Sequence, residues 1–247
     1  MKNYRADLHI HTVLSPCGDL EMSPANIINK ALEMNLDIIG ISDHNSTRQC
    51  RLVREIGAGK GITVLCGAEV NTREEVHCLA FFPDEDSLGR FQSFLDLNLP
   101  DIRNVPSKFG YQVVVNEKED IIYEEKRLLI AALNASIGET EAEVHRLGGI
   151  FIPAHIDRPR FSVLGQLGFL PPDLKADALE VSPATDREKF ERNHPELSAY
   201  TFVSFSDAHY LPQIGKKLTI FEMDSPGFDE IRKALQKTDG RKTQIIN

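Results

Sequence analysis

Short apolar runs alternate with helical patterns along most of the chain. Strands are predicted at Ala6–Ile10, Asp37–Ser42, Thr63–Val70, Val76–Phe82, Ile150–Ala154, Ala178–Val181, Thr201–Phe205 and Leu218–Glu222. Helices are predicted at Pro24–Met34, Thr47–Ala58, Asp84–Leu97, Ser136–Gly148 and Phe228–Gln236. Repeated strand–helix units favour parallel pairing, and seven or so of them on one sheet favour a barrel over an open sheet. The sequence therefore predicts an α/β barrel.

One stretch, Pro100–Ala135, breaks this rhythm. Within it, Tyr111–Val115 and Ile121–Tyr123 flank a polar segment that is typical of a turn. We therefore expect a small hairpin-like excursion around 100–135, carried by a single domain that spans residues 1–247.

The composition and charge argue against a nucleic-acid-binding, membrane or secreted protein. The 247 residues carry a net charge of −9, so no broad positive field attracts polyanions, and nucleic acid is not expected as a partner. The N-terminus is too polar for a secretory signal, and no apolar run approaches the roughly 20 residues that span a bilayer, so no membrane partner is expected. The four cysteines lack CxxC spacing and suggest reduced thiols in a cytoplasmic protein. The oligomeric state stays open.

Side chains that bind metals recur at the predicted strand ends. His9 and His11 alternate along DLHIH and therefore point to one face, and Asp19 lies in the loop that follows. Further along come Asp43, His44, Glu69, His77, His155, Asp207 and His209. In barrels the carboxyl ends of the strands converge on the active site. Imidazoles mixed with carboxylates favour Zn, Mn or Fe, and so many ligands imply more than one ion.

His77 begins a predicted strand, whereas the other candidates end theirs. The connection from Val70 to Val76 is too short for a parallel crossover. An antiparallel hairpin at this point would bring His77 back beside Glu69, at the same end of the barrel.

This ordered set of motifs resembles the polymerase and histidinol phosphatase (PHP) superfamily from about Tyr4 to Leu235. The resemblance implies a distorted, TIM-like (β/α)7 barrel with a trinuclear metal centre. It implies one ion on His9, His11, Glu69 and Asp207, and a second on Glu69, His77 and His155. It implies a third on Asp19, His44 and His209, with Glu21 as the alternative to Asp19. We expect two to three divalent ions.

Roles for the remaining candidates follow from their chemistry. Asp7 and Asp43 could orient imidazoles from behind the ligands. Arg158 and Arg160 could bind phosphate. Glu69, Asp207 and His209 are the candidate catalytic residues. Glu69 would bridge two ions, and either Asp207 or His209 could help to protonate the leaving group. His145 and His194 lie outside the pattern, and we interpret them as structural.

The function predicted from these features is hydrolysis of a small phosphomonoester, such as a nucleotide or a sugar phosphate, by water that the metals activate. The alternatives are a nuclease that acts on nucleic-acid ends and a non-catalytic, metal-stabilised scaffold. Carbon–nitrogen hydrolysis on a similar barrel ranks below these.

Overall fold

The fold is described for residues 1–246 by a computed structural model, apart from the side chain at position 187. The strands are β1 (Lys2–Ile10), β2 (Ile38–Ile41), β3 (Thr63–Asn71), β4 (His77–Phe82), β5 (Val113–Val115), β6 (Ile121–Glu124), β7 (Ile150–Pro153), β8 (Leu179–Glu180), β9 (Phe202–Val203), β10 (Leu218–Met223) and β11 (Lys242–Ile246). The α-helices are α1 (Pro24–Glu33), α2 (Cys50–Lys60), α3 (Glu85–Asn98), α4 (Pro106–Phe109), α5 (Ile137–Arg146), α6 (Val163–Leu167), α7 (Arg187–Asn193) and α8 (Phe228–Leu235).

A barrel is formed by β1, β2, β3, β4, β7, β8 and β9. Strands β1, β2 and β3 pair in parallel, β4 is antiparallel to β3 and β7, and β8 pairs in parallel with β9. The backbone N–H of Ile156 donates to the Glu180 carbonyl and links β7 to β8. At the closing seam, the Ala208 N–H donates to His9 O and the His11 N–H donates to Ala208 O. The predicted distorted TIM-like barrel of the PHP type is confirmed.

Parallel pairing does not extend to the C-terminal strands. Strand β10 pairs antiparallel with the first half of β1, and β11 pairs antiparallel with β10. The chain passes from β9 to β10 through a loop that contains only one short 3-10 helix, Leu211–Gln213. Since no crossover helix carries the chain back along the barrel, β10 has to run in the opposite direction.

The central strands are buried on both faces, which explains their nearly continuous apolar sequence. In β2, Ile38 belongs to a cluster that includes Ile231 of α8, while Ile39 belongs to a second cluster that includes Val53 of α2 and Phe91 of α3. One face of the sheet therefore packs inside the barrel together with α8, and the other packs against the surrounding helices, which holds the strand ends in place.

Helix boundaries follow the predicted caps at α1 and α5, whereas α2 begins at Cys50 and not at the predicted Thr47. Ser23 accepts a hydrogen bond from the Asn26 N–H at the start of α1, and Ser136 forms a capping box with Glu139 at the start of α5. Helix α2 was predicted to end at Ala58 but continues to Lys60 and stops at Gly61, whose φ is 78°. A Cβ at Gly57 would lie 2.6 Å from the Val64 side chain, so glycine is required there for packing.

The segment 100–135 contains helix α4 and the antiparallel pair of β5 and β6, so the predicted hairpin is present. The side chain of Gln112 connects the two ends of the hairpin. Its Nε2 donates to the carbonyls of Glu125 and Arg127, and its Oε1 accepts from the Leu129 N–H. The assignment of residues 1–247 to a single domain stays a prediction.

Candidate metal centre

The candidate metal ligands gather at one end of the barrel. His9 and His11 stand at the end of β1, Glu69 lies in β3, and the others are His44 after β2, His77 at the start of β4, His155 after β7, and Asp207 and His209 after β9. The antiparallel register pairs Asn71 with His77, so the start of β4 returns beside Glu69. The predicted hairpin between β3 and β4 is therefore confirmed.

The carboxylate of Glu69 lies among five imidazoles. The distances from Oε1 are 3.2 Å to His9 Nε2, 2.9 Å to His77 Nδ1 and 3.1 Å to His155 Nε2. The distances from Oε2 are 3.4 Å to His11 Nε2 and 3.1 Å to His44 Nδ1. Burial alone would raise the pKa of Glu69, but the imidazoles of His77, His9 and His44 hold it well below its usual range. Glu69 is therefore ionised, and its two oxygens can contact more than one cation.

A second carboxylate approaches from the other side of the two β1 histidines. Asp207 Oδ1 lies 3.3 Å from His9 Nε2 and 3.4 Å from His11 Nε2. The His209 ring stacks on the His11 ring with a centroid distance of 4.1 Å. The centroid of the His44 ring lies 4.6 Å from that of His11 and 6.1 Å from that of His209.

The spacing of these side chains suits shared metal ions better than direct hydrogen bonds between them. Three groups of ligand atoms each lie within 4.8 Å of one another: His11, His44 and His209; His9, His11, Glu69 and Asp207; and His44, Glu69 and His77. Among the described residues, four buried ring nitrogens have no hydrogen-bond partner: His9 Nε2, His11 Nε2, His44 Nδ1 and His155 Nδ1. Ligands at about 2.0–2.2 Å from one ion are separated from each other by about 3–3.5 Å. The nitrogen–oxygen distances around Glu69 lie close to that range.

The tautomer of His9 is set by a residue that the sequence analysis missed. Both carboxylate oxygens of the buried Glu180 lie 3.1 Å from His9 Nδ1, and Oε2 accepts the His155 N–H at 3.0 Å. A carboxylate only accepts, so Nδ1 of His9 carries the proton and Nε2 is left for a metal. The signal in the sequence was a single acidic residue inside the apolar run ALEV.

The tautomer of His11 is set by Ser15 and Asp43. The Ser15 hydroxyl donates to Asp43 Oδ1 at 2.7 Å, so its oxygen is free to accept from His11 Nδ1 at 3.0 Å. Asp43 also accepts the N–H and the hydroxyl of Thr12. Asp43 thus orients an imidazole through Ser15, and Nε2 of His11 faces the centre.

Asp7 orients a loop, and among the described residues it contacts no imidazole. Its carboxylate accepts the backbone N–H of Ser206 at 3.0 Å and of Gly215 at 2.8 Å, which fixes the segment that carries Asp207. Burial raises the pKa of Asp7 to about 6, against the lowering effect of these hydrogen bonds. The expected orientation of an imidazole by Asp7 is therefore corrected, because Glu180 does this for His9.

The surroundings shift the pKa values of the imidazoles in different directions. Burial, assisted by His209, lowers the pKa of His11 to about 4, and burial also lowers the pKa of His44 well below its usual value. Burial would lower the pKa of His9 too, but the carboxylates of Glu180, Asp207 and Glu69 raise it well above 6.5. Neutral His11 and His44 are in the form that binds metals.

The Asp19 carboxylate lies outside the three groups of ligand atoms. Its backbone N–H donates to the His209 carbonyl at 2.9 Å, but its Oδ1 accepts the Glu21 N–H in a local turn. Glu21 itself is exposed. The role of Asp19 as a ligand stays a prediction, as does its replacement by Glu21.

An open cavity of about 440 Å³ leads to the centre. Arg158, Arg160 and Phe161 line it from the loop after His155. The guanidinium Nη1 of Arg158 lies 2.7 Å from Asp207 Oδ2, while the Arg160 side chain is exposed. Both predicted phosphate-binding arginines thus lie beside the cavity.

Two histidines lie away from the metal-binding groups. His145 Nε2 is 3.0 Å from Asp177 Oδ2, and its Nδ1 faces Glu141 from the same helix. His194 Nδ1 lies 3.1 Å from Glu196. Each contacts a carboxylate of its own, as structural histidines do.

Two of the candidate ligands have strained backbone conformations. His155 has a φ of 30° and Asp207 a φ of 51°, in the left-handed region that side chains with a Cβ rarely adopt. Each lies in the segment that follows a barrel strand, β7 for His155 and β9 for Asp207. Such strain persists where the surrounding structure holds a residue for its function.

The sequence profile of the PHP domain matches residues 7–167. The chain therefore belongs to the PHP domain family. The uncharacterized protein YqxK of Bacillus subtilis is 27% identical over 274 aligned positions, which cover 98% of this chain and 64% of YqxK. The chain thus spans less than two thirds of this relative.

Three solved structures share the fold. The lesion-specific endonuclease PfuEndoQ from Pyrococcus furiosus has a TM-score of 0.72 and 23% identity, over 98% of this chain and 58% of its own. Endonuclease Q with a 27-mer duplex that carries an abasic lesion has a TM-score of 0.69 and 21% identity, with the same coverage of both chains. A Bifidobacterium adolescentis protein, provisionally assigned as a metal-dependent phosphoesterase, has a TM-score of 0.61 and 19% identity, over 94% of this chain and 96% of its own.

The expectation that nucleic acid is not a partner is wrong. It rested on the net charge of −9, yet endonuclease Q, 58% of which matches 98% of this chain, was solved in complex with a 27-mer duplex substrate. A net charge averages over the whole surface, whereas metals and a few arginines can make one cleft attractive to phosphate.

None of the helices within residues 1–246 is long and apolar enough to cross a lipid bilayer.

Glu180→Gln is expected to weaken metal binding about 10- to 100-fold, as is typical for partners of metal-binding imidazoles. The amide is neutral and can present its NH₂ group to His9 Nδ1, which removes the hydrogen bond that fixes the tautomer. Titration against a competing chelator measures the affinity. Glu141→Gln is the matched control, because it removes a carboxylate from His145, outside the cluster. Equal affinities for wild type and Glu180→Gln would exclude this role.

Proposed function

We propose that this chain is a metal-dependent phosphoesterase that acts on nucleotide units, with nucleic acid as the first substrate class to test. The observation that carries the proposal is the single carboxylate of Glu69 among five imidazoles at one end of the barrel. When bound, divalent ions at such a site supply a water of lowered pKa and neutralise charge on the phosphate oxygens.

Two to three ions of Zn, Mn or Fe are proposed, since imidazoles and carboxylates together favour these metals. His9, His11, Glu69 and Asp207 would hold the first. Glu69 would bridge to a second on His77 and His155, and His44 and His209 would hold a third, with Asp19 as a further ligand. The shared membership of His11, His44 and Glu69 in the groups described above supports adjacent ions.

The protein's own groups would position the phosphate and move protons. The Arg158 guanidinium is suited to a phosphate that enters the cavity, because it already approaches a carboxylate there at 2.7 Å. His209 has 21% of its side chain exposed, so it is more accessible than the fully buried His9 and His11. We therefore propose His209 as the group that protonates the leaving oxygen in the form with two ions, in which His209 holds no metal.

Nucleic acid is placed first because endonuclease Q structures match 98% of this chain. A second candidate, a small phosphomonoester, is supported by the cavity of about 440 Å³, which has room for a mononucleotide or sugar phosphate. A metal-stabilised scaffold without activity is the remaining alternative.

One assay separates these functions. The purified protein is stripped of metal, reloaded separately with Mn, Zn or Fe, and given a labelled duplex with one abasic site, the undamaged duplex, and a set of phosphomonoesters that includes nucleotides, sugar phosphates and histidinol phosphate. Strand cleavage supports the nuclease. Phosphate release without strand cleavage supports the phosphomonoesterase. No turnover with any metal would refute phosphoester hydrolysis and leave the scaffold.

A further inference from the structure

The loop between His155 and α6 presents an aromatic ring to the cavity. Phe161 is 39% exposed, although the chain has a large buried core for apolar side chains. One face of its ring stacks on the imidazole of His77, with a centroid distance of 4.8 Å and an interplanar angle of 21°. Since Phe161 also lines the cavity, its accessible surface belongs to the opposite face and the edge of the ring.

This loop is fixed by specific contacts. Phe161 has a φ of 56°, which is unusual for a bulky residue. Its carbonyl accepts the His77 N–H at 3.0 Å, and the adjacent Ser162 caps α6 by accepting the Gly165 N–H at 2.9 Å. A Cβ at Gly165 would lie 2.7 Å from the Pro159 carbonyl oxygen, so the loop packs closely against this helix. The ring is therefore held at the cavity by backbone anchors on both sides.

The neighbours of the ring indicate what it could contact. Arg158 and Arg160 stand beside it on the same loop, and metal ligands form the floor of the cavity. An anion drawn to this floor would bring its attached group against the free face of Phe161. A planar, weakly polar group gains most from such a face, because stacking uses the whole ring area. A nucleobase meets this description, whereas a bare sugar does not.

We propose that Phe161 is a specificity-determining residue that stacks on the nucleobase of the nucleotide whose phosphate enters the metal cavity. The proposal rests on the proposed function, because it takes the phosphate of a nucleotide unit as the group held at the metals. It adds a base-recognition contact on the far side of the ring from His77.

Binding tests the proposal without requiring turnover. Calorimetry on the metal-loaded protein compares adenosine 5′-monophosphate with ribose 5-phosphate, which differ by the base alone. Wild type is expected to prefer the nucleotide. Phe161→Ala should weaken nucleotide binding about 5- to 100-fold, the range for loss of one stacked base, and leave ribose 5-phosphate within about 2-fold. Phe161→Tyr should keep the preference, whereas Phe161→Leu should lose it because a branched apolar chain cannot stack.

Two controls separate stacking from a structural role. Phe169→Ala removes a phenylalanine that is 59% exposed and does not line this cavity, so both affinities should stay at the wild-type level. Metal content, measured for every variant, reports on the packing of Phe161 against His77. Equal weakening of both ligands, or loss of metal in Phe161→Ala, would mean that the ring only supports His77. A wild-type protein without preference for the nucleotide would also overturn the proposal.

The outcomes for Phe161 and for the proposed function are distinct. Base preference that depends on Phe161, without hydrolysis of any phosphoester, would refute the enzymatic function and retain the stacking contact. Hydrolysis without base preference would support the enzymatic function and refute the stacking contact.

Discussion

Glu69→Gln is expected to lower kcat/KM on any phosphoester substrate by on the order of 10³-fold, because loss of a metal clamp removes several kcal/mol of transition-state stabilisation. Both oxygens of Glu69 lie within 3.4 Å of imidazole nitrogens. The amide keeps the shape of the side chain, but it is neutral and replaces one oxygen with an NH₂ group that cannot bind a metal. Metal content should fall with activity.

The measurement combines steady-state kinetics with metal analysis of the same preparation. Glu125→Gln is the matched control, because Glu125 is buried on the hairpin segment, where it bonds to Tyr123 and the Arg127 backbone. Its metal content and turnover should stay near wild type, while the loss of these hydrogen bonds should lower the stability of the fold. Near-full activity in Glu69→Gln would exclude the bridging role.

The location of the site could be predicted because it follows from local rules. His9 and His11 alternate on one strand, so they share a face wherever that strand goes. The return of His77 followed from a connection too short for a crossover, and the register of Asn71 with His77 confirms it. Parallel strands then bring their carboxyl ends together without any further information.

The supporting contacts could not be predicted, because they join distant segments. Glu180 is 171 residues from His9, and it lies in β8, a strand of only two residues. No periodicity in so short a run indicates which way its carboxylate points. The hydrogen bond of Asp7 could not be predicted for the same reason, since its partner Gly215 lies 208 residues away on a loop.

Partner prediction from net charge failed for a related reason. The charge of −9 counts every residue equally, whereas binding depends on the few groups that face the ligand. Arg158 and Arg160 were found as candidates, but Phe161 between them and α6 was not, because a single phenylalanine in a loop carries no pattern. Its significance comes from the left-handed φ of 56° and the stacked His77, which only the fold reveals.

Removal of the metals is expected to abolish turnover and to lower the melting temperature. A ligand present at about 1,000 times its Kd stabilises the folded state by about 4 kcal/mol. For a chain of this size each kcal/mol shifts Tm by roughly 2–4 °C, so chelation should lower Tm by about 8–16 °C. Without metals, buried nitrogens such as His44 Nδ1 and His155 Nδ1 have no partner within the described residues, which adds to the loss.

The experiment follows calorimetric melting and turnover in three states: as purified, after exhaustive chelation, and after reloading with Mn, Zn or Fe. Reloading should restore both properties in wild type, and Glu69→Gln should show little change between the three states because its centre is already lost. Glu125→Gln should respond as wild type does. A chelated wild-type protein, shown to be metal-free, that keeps its turnover and melting temperature would refute the metal centre, since neither catalysis nor stability would then depend on the ions.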